Sequence, residues 1–171
     1  MRTLYSESAI SARIDELAAE IDASFPKNFI MAPVLTGAFI FAADLLRALH
    51  RRGADPFVDF VQLSSYGGAR ASSGVVTLLK DFSVDLKGRP VLLVDDVLDT
   101  GRSLHFAKNM VLDRGASDAK ICALVRKATG RSADIDADFV GFEAGADDFL
   151  VGYGMDDDGL ARGAPFIGVM D

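Results

Sequence analysis

The segment from Val91 to Leu104, VLLVDDVLDTGRSL, most constrains what this chain can fold into. Val91 to Val94 is an uncharged run of apolar β-formers, the pattern of a strand buried on both faces. Ser103 to Arg114 carries apolar residues at Leu104, Ala107, Val111 and Leu112, a helical spacing. A buried strand handing over to a helix across a short polar loop is the unit of an α/β sheet, and open sheets of that kind bind ligands at the carboxyl ends of their strands. The residues from Asp95 to Ser103 therefore lie where ligands bind.

Asp95 and Asp96 are adjacent carboxylates leaving the strand, and two such charges tolerate one another best where cations, hydroxyls or backbone donors are supplied. Sugar hydroxyls and a divalent metal supply these. Asp99, Thr100, Gly101, Arg102 and Ser103 read as a turn in which glycine permits close backbone approach and successive N–H groups converge on an anion. A phosphate there also meets the favourable end of the helix dipole. The plainer alternative is a polar loop with Ser103 or Thr100 as an ordinary N-cap. The full hydrophobic-DD-x-x-D-T-G-x-S string is far rarer than a bare D-x-x-D, which favours a sugar phosphate held with a metal.

Strand and helix signals alternate on either side of this unit. A helix is expected from Ser8 to Ala23 with Ile10, Ile14, Leu17 and Ile21 on one face, then a strand from Phe29 to Val34 and a helix from Ala38 to Arg51 ending at Gly53. Strands from Phe57 to Leu63 and Val75 to Lys80 follow, joined by GGARASSG (67 to 74), which reads as a hairpin with a mobile tip. Strand Val91 to Val94, helix Ser103 to Arg114 and strand Lys120 to Val125 complete a βαβ unit. The final third, with strands near Phe139 to Gly141, Phe149 to Gly152 and Phe166 to Val169, has too few helical signals for another and is expected to form a small hood beside the sheet.

A chain of 171 residues suits one core better than two, so a single domain over 1–171 is expected, with a core of about 25–130 and a hood from the N-terminal segment and about 131–171. The net charge of −7 argues against a general nucleic-acid binder. Cys122 is the only cysteine, which excludes an intramolecular disulfide and a cysteine-rich metal cluster. The N-terminus reads as an acidic amphipathic helix rather than a secretory leader. The longest uncharged stretch, 29 to 43, is too short for a comfortable membrane span and is broken by Pro33 and Gly37. A cytoplasmic location without membrane partners is expected.

The DDVLDTG loop resembles the phosphoribosyl pyrophosphate motif of the type I phosphoribosyltransferases. The rest of the chain resembles the hypoxanthine-guanine branch of that family through VLTGAFIFAADLLR (34 to 47), VQLSSYGG (61 to 68), LKDFSVDLKGRPVLLVDDVLDTGRSL (79 to 104), LVRKATGR (124 to 131), DFVGFEAGADDFLVGYGMDD (138 to 157) and PFIGVM (165 to 170). The resemblance implies the type I phosphoribosyltransferase fold, an α/β architecture with a mainly parallel sheet flanked by helices, a small hood and a mobile hairpin lid, assembled as a homodimer or homotetramer. It implies transfer of 5-phosphoribosyl from phosphoribosyl pyrophosphate to N9 of hypoxanthine or guanine, giving IMP or GMP and pyrophosphate, with Mg²⁺ as cofactor. A phosphoribosyltransferase for xanthine and a non-catalytic regulator on the same fold are the alternatives. Lys127 and Phe149 favour a 6-oxopurine, and the presence of Asp99 and the lid weighs against a regulator.

By the same resemblance, Asp95 and Asp96 hold the ribose hydroxyls directly or through metal-bound water, Asp99 takes or shares the purine N7 proton, and Thr100, Gly101, Arg102 and Ser103 anchor the 5′-phosphate. The turn Leu35, Thr36 and Gly37 would hold pyrophosphate on its backbone N–H groups, although alone it is better read as a tight turn. The family often carries lysine where this chain has Thr36. Ser65 and Tyr66 match a lid that keeps water from an oxocarbenium-like centre; otherwise they open an exposed hairpin tip. Lys127 is implied to donate to the purine O6, with Arg131 helping to hold the substrates. Adenine presents an amino donor there, so lysine would face a donor with a donor. Phe149, on its residues alone a core aromatic, would stack on the purine, with Leu150 and the backbone near Asp156 reading its edge. Asp156 would serve a second Mg²⁺, making Asp95, Asp96 and Asp156 the metal set, and Arg162 would contact pyrophosphate.

Overall fold

The computed structural model describes residues 1–65, 75–129 and 134–170, and sets the VLLV run at the middle of the larger of two sheets. In chain order the elements are β1 (Arg2–Tyr5), α1 (Glu7–Ser24), β2 (Ile30–Leu35), α2 (Phe39–Arg51), β3 (Phe57–Val58), β4 (Val61–Ser65), β5 (Val76–Lys80), β6 (Pro90–Leu98), α3 (Arg102–Asp113), β7 (Asp118–Lys127), β8 (Phe139–Ala144), β9 (Phe149–Val151) and β10 (Ile167–Met170). The large sheet runs β5-β4-β2-β6-β7-β8, with β3 also on β2; its pairs are parallel except the β4–β5 hairpin.

Alternation along the central strands divides the core between the two faces of this sheet. Met31, Leu92, Val94, Cys122 and Leu124 belong to the cluster under α1 and α2, whereas Ala32, Leu93, Ile121 and Ala123 belong to the one under α3. On α1 the buried residues include Ile10, Ile14, Leu17 and Ile21, each worth about 1.5–3 kcal/mol in apolar burial. Ser6 caps this helix by accepting from the Ala9 N–H at 3.3 Å.

A smaller antiparallel sheet, β1-β10-β9, forms the hood, and Leu150, Ile167 and Val169 bury into the cluster shared with α1 and α2. Its edge strand β1 went unanticipated, because four residues with no buried member carry no burial pattern and become a strand only by pairing with β10.

Three further expectations need correction. The strand expected near Phe139 to Gly141 does not join the hood: β8 pairs in parallel with β7, from Cys122 opposite Phe139 to Lys127 opposite Ala144. The boundary near residue 131 therefore separates segments that share one sheet. The single strand from Phe57 to Leu63 is two, because buried Asp59 between them accepts from the N–H groups of Ser83 at 2.7 Å and Val84 at 3.2 Å. Finally, β6 runs through Asp95 and Asp96 to Leu98, with Val97 opposite Val125 and Leu98 opposite Arg126, so the paired carboxylates sit within the strand rather than in the loop after it.

Candidate active site

The carboxyl ends of β2, β6 and β7 place three groups of side chains together. At the end of β6, Asp95 is buried and its Oδ1 accepts from the Asp96 N–H at 3.0 Å, while Asp96 Oδ1 accepts from the Val97 N–H at 3.0 Å. Burial, and next the Asp96 charge, push the Asp95 carboxyl well above the usual carboxylate range. A cation or hydroxyl donors would compensate the charge of a carboxylate placed in this way. That donor chemistry fits a divalent metal shared with a ligand.

After β6 the chain turns through Asp99 and Thr100 into α3. The N-cap of α3 is Gly101, at φ 82°, which has no side chain to cap the helix with. Helix α2, which follows the Leu35–Gly37 turn, likewise opens at Ala38 with no side-chain cap. The structural helix α1 has its serine; the two helices that face the crevice present main chain where an anion would sit.

The Leu35–Thr36 peptide is cis, Thr36 is exposed and Gly37 lies against Asp96. A β-carbon built on Gly37 would stand 2.0 Å from Asp96 Oδ2, and one built on Gly154 would stand 2.2 Å from the Gly37 carbonyl oxygen. The turn is thus held between the β6 carboxylate and the hood backbone, with no room for a side chain at either glycine.

Lys127 ends β7 and its Nζ lies 3.3 Å from Asp99 Oδ2. The lysine side chain is only 13% exposed, against 45% for the aspartate. Thr129, which the sequence reading passed over, donates from Oγ1 to Asp99 at 3.1 Å. Only its place in the KATGR string could have drawn attention to it. Phe149 is 41% exposed and so is not the core aromatic that its apolar neighbours suggested, whereas Leu150 is buried. Asp156 and Arg162 are tied together: Asp156 Oδ2 accepts from the Gly159 N–H at 2.7 Å, its Oδ1 lies 2.7 Å from Arg162 Nη2, and Arg162 Nη1 donates to the Gly154 carbonyl at 2.6 Å.

Among the described residues no three His, Cys, Asp or Glu side chains gather as a metal cage, so Asp95, Asp96 and Asp156 do not form one protein-only site. Ser65 closes β4, while Tyr66 and Arg131 lie outside the described residues. Among the described residues no helix is long and apolar enough to cross a membrane.

The phosphoribosyl transferase domain family matches residues 2–158. The chain belongs to that family. This phosphoribosyltransferase is 42% identical over 167 residues to the hypoxanthine-guanine phosphoribosyltransferase of Aquifex aeolicus, covering 96% of this chain and 92% of that protein. It is 40% identical over 172 residues to the enzyme of the same name from Bacillus subtilis, covering 99% and 92%. Its fold is similar to a crystal structure of a Bacillus anthracis hypoxanthine-guanine phosphoribosyltransferase with HEPES in the active site, at a TM-score of 0.91 and 37% identity over 100% of this chain and 99% of that one. The architecture is accordingly the type I phosphoribosyltransferase fold.

Proposed function

We propose that this phosphoribosyltransferase serves purine salvage, transferring 5-phosphoribosyl from phosphoribosyl pyrophosphate to N9 of hypoxanthine or guanine and releasing pyrophosphate. The 3.3 Å approach of Lys127 Nζ to Asp99 Oδ2 carries the reading. A 6-oxopurine presents an acceptor, O6, beside N7 on one edge, and a cation next to a carboxylate matches O6 and a protonated N7. Adenine, with an amino donor in place of O6, would leave a largely buried lysine facing a donor.

In this reading the C1′–N9 bond forms as the bond from C1′ to the pyrophosphate oxygen breaks, with inversion at C1′, and the N7 proton passes to or is shared with Asp99. The Thr100–Ser103 amides anchor the 5′-phosphate, Asp95 and Asp96 orient the ribose hydroxyls, and the Leu35–Gly37 backbone with Arg162 receives pyrophosphate. Phe149 offers its exposed face for stacking, with Leu150 and the backbone near Asp156 along the base edge. Ser65 and Tyr66 would take the lid role that the resemblance implies. Asp95 and Asp96 would hold one Mg²⁺ and Asp156 a second, each with the substrate's own oxygens, and the bound metal would supply charge neutralisation of the leaving group.

The exposed rings of Phe39, Phe57 and Phe60 on α2 and the neighbouring strand edge support association with further copies, as a homodimer or homotetramer, which sedimentation equilibrium measures. The reaction is tested by pyrophosphate release from phosphoribosyl pyrophosphate and Mg²⁺ with hypoxanthine, guanine, xanthine or adenine, with Asp99→Asn as control. Turnover on hypoxanthine or guanine that collapses in the variant is expected; silence on all four bases would overturn the reading.

A further inference from the structure

The purine-binding strand and the pyrophosphate turn belong to different sheets, yet the transfer needs N9 and C1′ aligned in a near-attack geometry. Two contacts among the described residues tie the segment after β9 to the Leu35–Gly37 turn and to the helix that follows it. One is the close approach of Gly154 to the Gly37 carbonyl. The other is made by Tyr153, the residue just before it. The residue is only 6% exposed, and its hydroxyl donates to Asp44 Oδ2 on α2, the helix that begins two residues after Gly37. Asp44 is itself fixed from the same helix by Arg47, which pairs with the other carboxylate oxygen.

Tyr153 lies between Val151, the last residue of the purine strand, and the segment carrying Asp156 and Arg162. Its backbone sits at φ 51° between Gly152 at 88° and Gly154 at 102°. For a bulky aromatic such a conformation is uncommon and must be maintained by contacts elsewhere. The main chain around it is also bonded both ways, with the Tyr153 N–H donating to the Ala164 carbonyl at 2.8 Å and the Gly154 N–H to the Arg162 carbonyl at 2.9 Å. The hydroxyl on Asp44 ties this closed turn to α2. A shift of the turn would move Phe149 and Leu150 in one direction and press Gly154 on Gly37, and through it on Asp96, in the other.

We infer that Tyr153, through Asp44, is a positioning residue that sets the register between the purine half and the pyrophosphate half of the site. It touches neither substrate. Its loss therefore misaligns two bound substrates rather than weakening either one, and the defect falls on the chemical step. This inference rests on the purine phosphoribosyl transfer proposed above.

The test compares single-turnover rates, equilibrium binding of phosphoribosyl pyrophosphate and of the nucleotide product, and melting temperatures for wild type, Tyr153→Phe, Asp44→Ala, Asp44→Asn and Tyr153→Phe with Asp44→Ala. Tyr153→Phe and Asp44→Ala are each expected to slow the chemical step by about 10- to 100-fold, the range for a misplacement near 1 Å, with both dissociation constants within about twofold of wild type. The double variant is expected to be no slower than either single one. Asp44→Asn keeps an oxygen acceptor for the tyrosine and should restore most of the rate. Tyr5→Phe, which removes a hydroxyl that joins β1 of the hood to the Glu143 carbonyl on β8 at 2.5 Å, away from the Leu35–Gly37 turn, is the control for a purely structural loss and should keep the wild-type rate. A wild-type rate in Tyr153→Phe, or a slowing accounted for wholly by weaker binding, would overturn the inference. Wild-type silence on every purine would instead sink the functional reading, so the two failures are told apart by the first measurement.

Discussion

Lys127 Nζ stands 3.3 Å from Asp99 Oδ2, which ties the end of β7 to the turn after β6. In the proposed reading a purine would enter between them, giving O6 to the lysine and N7–H to the carboxylate. Lys127→Met removes the donor that O6 requires. Losing a hydrogen bond to a charged group costs about 1.5–3 kcal/mol, so kcat/KM for hypoxanthine and guanine should fall about 10- to 100-fold while phosphoribosyl pyrophosphate binding persists. Steady-state kinetics with each base decide it, and unchanged values would remove Lys127 from base recognition.

Thr129 holds Asp99 from the other side at 3.1 Å. Asp99→Asn should lower kcat by about 10²- to 10⁴-fold with little change in substrate binding, the usual loss for a general base. Thr129→Val leaves the carboxylate in place but less constrained, and about a 10-fold fall in kcat with an unchanged purine KM is expected for one lost hydrogen bond. A rise in purine KM alone would mean that Thr129 contacts the base rather than orienting Asp99.

Asp95 should cost the protein stability at neutral pH. Its folded-state carboxyl is raised by burial and by Asp96, so the stability tied to its protonated form is fully present below the unfolded carboxylate value of about 3.9 and is lost as the pH rises through the higher folded value. Asp95→Asn keeps an acceptor for the Asp96 N–H and cannot ionise. Its melting temperature should exceed that of wild type at pH 7 and converge with it below about pH 4. Each kcal/mol corresponds to about 2–4 °C in a chain of this size. Calorimetry across that range is the measurement, and a melting temperature no higher than wild type at neutral pH would contradict it. Activity should fall in the same variant, a trade of function for stability.

Phe149 and Phe29 separate stacking from packing. Phe29 is fully buried, and Phe29→Ala should destabilise by about 3–5 kcal/mol. Phe149→Ala, with 41% of the residue exposed, should shift the melting temperature far less and raise the purine KM by about 2- to 12-fold, the worth of an aromatic stack. A large stability loss without a KM effect would return Phe149 to the core.

Much of this protein was legible from local pattern. The βαβ unit around VLLVDDVLDTGRSL, the buried stripe of α1 and the Leu35–Gly37 turn follow from residue spacing, because helix and strand periods and glycine turns are short-range properties. Tertiary structure alone decided the pairing of β1 with β10, the membership of β8 in the large sheet, and the extension of β6 through its two aspartates. It alone brought Lys127 to Asp99 across 28 positions and Tyr153 to Asp44 across 109. Such contacts depend on how separate elements pack, and a lone tyrosine, threonine or aspartate carries no local mark of the partner that packing will bring to it.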